Sequence, residues 1–100
     1  MSDSNDNNER SGVWMRKYII PVAYCFEVSG GEILSDLADL YYSLREMDNE
    51  KFTHHVNEGK NDFADWVEEV FRERELANKM RQVSAKDEMV ACLEDEVFVR

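Results

Sequence analysis

The stretch Phe52-Thr53-His54-His55-Val56-Asn57-Glu58-Gly59-Lys60-Asn61-Asp62-Phe63-Ala64-Asp65-Trp66-Val67 decides how this chain is read. Beyond Gly59, the residues Phe63, Trp66, Val67 and Val70 recur at i, i+3, i+4 and i+7, which places them on one face of a helix. Asn61 precedes that face, where a side-chain oxygen can cap the free amides of a first turn. Asp62 and Asp65 lie inside the turn, where carboxylates favour the helix dipole. The spacing predicts a helix to about Arg72. Before Gly59, Asp48 or Asn49 can cap a shorter helix over about Glu50–Asn57, with Phe52, His55 and Val56 on one face and His54 pointing elsewhere. Gly59 is placed to end it through a left-handed conformation. Two short helices meet at a tight corner.

On the N-terminal side of this corner, Ser29-Gly30-Gly31 marks a turn with two residues free to take positive φ. A helix over about Glu32–Met47 follows, because Ile33, Leu34, Leu37, Leu40, Tyr41 and Leu44 form one apolar stripe while Asp36, Asp39 and Glu46 fall mainly on the wet side. Val13–Val28 is rich in β-branched and aromatic residues around Pro21, which lacks an amide donor, so an extended segment or short edge strand is expected there. On the C-terminal side, Leu76, Ala77 and Met80 continue an apolar face through Glu73–Gln82, as a bent continuation or a separate helix. Ser84 with Asp87 resembles a capping box for a last helix bearing Met89, Val90, Leu93 and Val97, and the Val97–Arg100 end is apolar enough to dock. The expected fold is mostly α, a compact bundle of four or five short helices with an extended or short β segment near the N-terminus. Residues 1–12, without an apolar residue after Met1, read as a disordered tail, and 13–100 as a single helical domain.

The chain has 22 acidic against 12 basic residues among its 100, a net charge of −10. Such a field repels phosphates and disfavours nucleic-acid binding. Three readings of the acidity stand: a solvated face that keeps the protein soluble, adaptation to a high-salt cytoplasm, or complementarity to a basic partner. Cys25 and Cys92 are isolated, with no CxxC spacing, so a reducing cytoplasm is the expected compartment. No stretch approaches the ~18 apolar residues that a membrane span needs, and Tyr18–Phe26 lacks the flanks of a secretory signal.

His54 and His55 are the first candidates for chemistry. Consecutive residues diverge by about 100° on a helix, so the pair cannot easily grip one ion, and no metal or cofactor is assigned. Neither cysteine lies in the electropositive setting that makes a thiolate, and no carboxylate pair stands out among so many. Gly30-Gly31 carries no phosphate-loop pattern, and Glu32 and Asp36 would repel an anion. Phe63, Trp66 and Phe71 form a stripe that core packing explains better than an aromatic platform for a ligand. Lys60-Asn61-Asp62 is the most unusual polar cluster, with capping as its structural explanation. No catalytic residue is assigned, and the candidate binding residues are His54, His55, Lys60, Asn61, Asp62 and Trp66.

Phe52-x-x-His55-Val56, then Lys60-Asn61-Asp62-Phe63-Ala64-x-Trp66-Val67, then Glu75-Leu76-Ala77, resembles a family of small helical domains of unknown function found in archaea and bacteria. The resemblance spans about Phe26 to Leu93 and implies a shared fold but no activity. It also implies a Gly-Asp turn after the Trp-bearing helix. Here Arg72-Glu73 stands instead, so a helix that continues is the alternative. The functional expectation is a non-enzymatic protein-interaction or regulatory module, with a protein partner, basic in one version, or a second copy of itself. The alternative is a small ligand-binding domain or enzyme using His54 or His55 with Lys60 and Asp62.

Overall fold

A computed structural model describes residues 20–98. The expected tail and the expected extended segment over 13–19 lie outside them. After Pro21 the chain makes a single 3-10 turn, Val22–Tyr24, and enters strand β1, Phe26–Glu27, which pairs antiparallel with β2, Ile33–Leu34. Between the strands Gly30 and Gly31 take φ of 104° and 106°, a region that side chains with a Cβ rarely enter. The short β segment near the N-terminus is thus a hairpin whose second strand takes residues expected in the first helix. Ile33 and Leu34 fit a helical rhythm, but Asp36 starts the helix after them. Its backbone is extended and its carboxylate accepts from the Asp39 amide at 2.7 Å. Asp36 is buried, not on the wet side.

Helix α1 is therefore Leu37–Glu46. Asp48 caps α2, Asn49–His55, accepting from the Lys51 amide at 2.8 Å. The chain then forms a second hairpin, β3 Val56–Asn57 against β4 Lys60–Asn61, followed by α3, Asp62–Phe71, α4, Arg74–Arg81, and α5, Lys86–Phe98. Among the described residues these are five α-helices, the mostly α bundle expected. Gly59 does not close α2 through a left-handed conformation. The helix ends at His55, and the Gly59 amide donates to the Asn57 side chain at 3.0 Å within the β3–β4 turn. Helix α5 begins after Ala85, whose carbonyl accepts from Met89, so Ser84 lies one residue short of the capping position.

Helix α3 does stop after Phe71. Arg72 adopts φ 60°, and its amide reaches back to the Glu68 carbonyl. A left-handed residue with a Cβ costs about 1–2 kcal/mol, which is why glycine usually holds this place. The turn forms without it, and Glu73–Gln82 holds a separate helix.

The core unites the apolar faces of all five helices. Leu40 and Leu44 of α1, Phe52 of α2, Phe63 and Val67 of α3, Leu76 and Met80 of α4, and Met89 and Leu93 of α5 are buried together. Fully burying one such side chain contributes about 1.5–3 kcal/mol, so the interleaved stripes supply the main drive to fold. Helix α5 packs along α1. There the Lys86 ammonium donates to the Met47 carbonyl at 2.6 Å, satisfying a free acceptor at the end of α1.

Candidate functional site

The corner between α2 and α3 gathers five of the six candidate residues, of which His55, Asp62 and Lys60 are bonded to one another. His55, the last residue of α2, is 5% exposed. Its Nε2 accepts the backbone N–H of Ser29 at 2.9 Å, and its Nδ1 lies 3.0 Å from Asp62 Oδ2. An amide can only donate, so Nε2 carries no proton and Nδ1–H donates to the carboxylate. The two bonds fix a neutral imidazole in one tautomer. The Lys60 ammonium donates to the same Asp62 oxygen at 3.1 Å. Burial works against the charge on Asp62, but the hydrogen bonds from His55 and Lys60 outweigh it and hold its carboxyl below the ordinary value.

Asn61 and Trp66 extend the cluster. Asn61 Oδ1 accepts the Ala64 amide at 2.9 Å, the cap expected, while its Nδ2 donates to the Met80 carbonyl at 3.2 Å near the end of α4. The Trp66 indole N–H donates to the Tyr24 carbonyl at 2.7 Å. Phe26 fills the space between, its ring 5.2 Å from His55, 5.1 Å from Phe63 and 5.6 Å from Trp66. Phe63, Trp66 and Phe71 are all buried, as the core explanation required. His54 stands apart. It is exposed, its ring edge-on to His55, beside a shallow cleft of about 400 Å³ shared with Ser29, Lys51 and Thr53.

A His–Asp dyad resembles the base-and-orienter pair of many hydrolases, in which Nε2 faces the reacting group. Here Nε2 is buried and already accepts a backbone amide, so no substrate proton can reach it without opening the Ser29 turn. A groove of about 710 Å³ runs beside the β3–β4 hairpin, bordered by Thr53, Asn57, Lys60, Asn61, Arg81 and Ser84. Its polar lining is largely engaged: Arg81 bonds Asp65 at 2.9 Å and Glu68 at 2.8 Å, Lys60 bonds Asp62, and both ends of Asn61 are in use. Among the described residues no group of three or more His, Cys, Asp and Glu side chains is arranged to hold a metal ion. Burial pushes the Cys92 thiol up, away from the reactive thiolate. No helix of the described residues is long and apolar enough to cross a membrane.

The sequence already grouped His55 with Asp62; what it did not foretell are the backbone partners of His55 and Trp66, at Ser29 and Tyr24, because such groups carry no side-chain signature. No family model, curated protein or solved structure matches the chain.

Proposed function

We propose that this chain is a non-enzymatic protein-interaction module in which the polar corner builds the domain and other surfaces meet the partner. The observation that carries this reading is the bond from the Ser29 amide to His55 Nε2. It occupies the one nitrogen that a catalytic histidine would need free. Four other candidate groups are likewise engaged within the fold, Lys60 with Asp62, Asn61 with Ala64 and Met80, and Trp66 with Tyr24. The resemblance to small helical domains of unknown function fits this reading, since it implies a fold and no activity. The net charge of −10 favours a partner with a basic face.

The groove beside Lys60 and Arg81 supports the second reading, a small-ligand site. Its Lys60, Asp65 and Arg81 are paired across 2.8–3.1 Å, so a ligand recruiting them would have to displace internal bonds rather than complete open ones.

The test uses the full chain immobilised beside an acidic control protein of equal charge. A protein enriched over the control, identified, purified and shown to rebind in isolation, supports the module. No enrichment at either low or high salt contradicts it. Long-range nitrogen NMR spectra address the other reading: a His55 tautomer that changes when Zn²⁺ or a small-molecule mixture is added would favour a ligand site.

A further inference from the structure

Among the described residues, two of the five large apolar side chains left exposed lie side by side on the α1–α5 face: Tyr42 at 48% and Phe98 at 53%. Both pack edge-on against the buried ring of Tyr41, each at 5.0 Å between centroids, and stand 6.4 Å from each other. Tyr41 thus holds the two outer rings at fixed angles, so little side-chain freedom remains to be lost when something covers them. Exposed aromatic rings held in this way are what interface hot spots use.

The charges around the pair have one dominant sign. On α5, Glu94 and Asp95 precede Phe98 by four and three positions, which on a helix makes them its neighbours. On α1, Asp39 stands three positions before Tyr42, while Arg45 and Glu46 follow it by three and four, toward the Lys86 end of the helix pair. The Arg45 guanidinium lies over the Tyr41 ring at 5.6 Å, so among the described residues Asp39, Glu94 and Asp95 are the acidic neighbours on the Phe98 side.

We propose that the Tyr42–Phe98 pair is a docking face for a basic amphipathic segment of a partner protein, one that sets apolar side chains on the two rings and Lys or Arg against Glu94 and Asp95. This rests on the interaction-module reading and names the surface and chemistry that reading leaves open. A second copy of the chain fits less well, because a twofold contact would oppose like carboxylates. Nucleic acid and anionic lipid are repelled by the same charges.

The test is fluorescence anisotropy of the full chain with a labelled amphipathic helical peptide of Leu and Lys, beside a control peptide in which every Leu is Ser. The expected result is binding about tenfold tighter for the Leu/Lys peptide, and about tenfold loss on Tyr42→Ser or Phe98→Ser. Glu94→Gln with Asp95→Asn should weaken binding several-fold at low salt and little at high salt. Circular dichroism of each variant separates lost contact from lost fold, with Tyr42→Gln as a second substitution should serine disturb α1. Equal affinity for the two peptides, or unchanged affinity in the ring variants, overturns the proposal. So does a dimer in sedimentation that Tyr42→Ser dissociates, since a second copy would then occupy the face. A partner recovered by capture that binds the Tyr42→Ser chain as well as the native one overturns this face alone and leaves the module intact.

Discussion

The α2–α3 corner and the α1–α5 face divide the work of this molecule in opposite ways. At the corner, residue types usually associated with chemistry (His, Asp, Lys, Asn, Trp) spend their polar groups on the protein's own backbone and on one another. On the α1–α5 face, two ordinary helices leave the rings of Tyr42 and Phe98 exposed. Residue type is therefore a poor guide to what is available to a partner. What counts is which atoms the fold leaves accessible, and on the α1–α5 face those include two apolar rings.

Substitutions can break this contrast. The largest effect is expected from Trp66→Ala, which removes a buried indole and leaves the Tyr24 carbonyl unpartnered; about 3–5 kcal/mol should be lost in urea unfolding. His55→Phe keeps the ring volume but strands the Ser29 amide, a loss of about 1–3 kcal/mol, and hydrogen exchange at Ser29 should accelerate. A His55→Phe chain as stable as the native one would mean that the corner does not hold the fold together.

The corner should also show a pH signature. Because the folded Asp62 carboxyl sits below its ordinary value, its stabilisation is present at neutral pH and is lost as pH falls from the ordinary carboxylate range through the lower folded value. Asp62→Asn should cost about 1 kcal/mol at pH 7, the difference between charged and neutral hydrogen bonds. The gap between native and variant urea midpoints should then narrow as pH falls from the ordinary carboxylate range through that lower folded value. A gap of constant size across that range would sink the assignment.

Arg72→Gly acts with the opposite sign. It relieves the left-handed Cβ after α3 and should raise stability by about 0.5–1 kcal/mol, read as a higher thermal midpoint. Smallest of all is Tyr42→Ser, expected to stay within about 0.5 kcal/mol of native stability. That result would sharpen the comparison, since an aromatic ring that contributes nothing to the fold is free to contribute to recognition.

Much of the fold was legible because local rules and tertiary packing agree. Asn61 caps α3, and Phe63, Trp66 and Val67 face the core as their spacing requires. The misreadings occur where two rules compete. Ile33 and Leu34 suit a helix by rhythm, yet they lie ahead of the capping Asp36 and pair with Glu27 and Phe26 instead. Gly59 suits a helix cap, yet the β-branched Val56 and the Asn57 side chain turn the chain into a hairpin first. Arg72 shows a turn that forms without its usual residue, because Phe71 and Leu76 are both drawn into one core.

The candidate site was legible only as a list of residues. Capping accounted for Asn61, and the inward side of His55 followed from its place beside Phe52. The distant backbone groups that complete the cluster could not be read, because an amide at Ser29 looks like any other amide. The Tyr42–Phe98 face was hidden for a related reason. The chain end was expected to dock, and Val97 does, but Phe98 lies one residue on and so points out from the same helix. Val99 and Arg100 lie outside the described residues.

The indole bond of Trp66 has a consequence in time as well as in space. It joins residues 42 positions apart, whereas the β3–β4 hairpin closes within a few residues. Loop-closure entropy grows with the length enclosed, so the local turns around Gly59 can form and dissolve many times before Tyr24 is brought to Trp66. The corner that looks like the seed of the domain is by this argument finished late, and the change in indole fluorescence on reaching that carbonyl is the event that would time it.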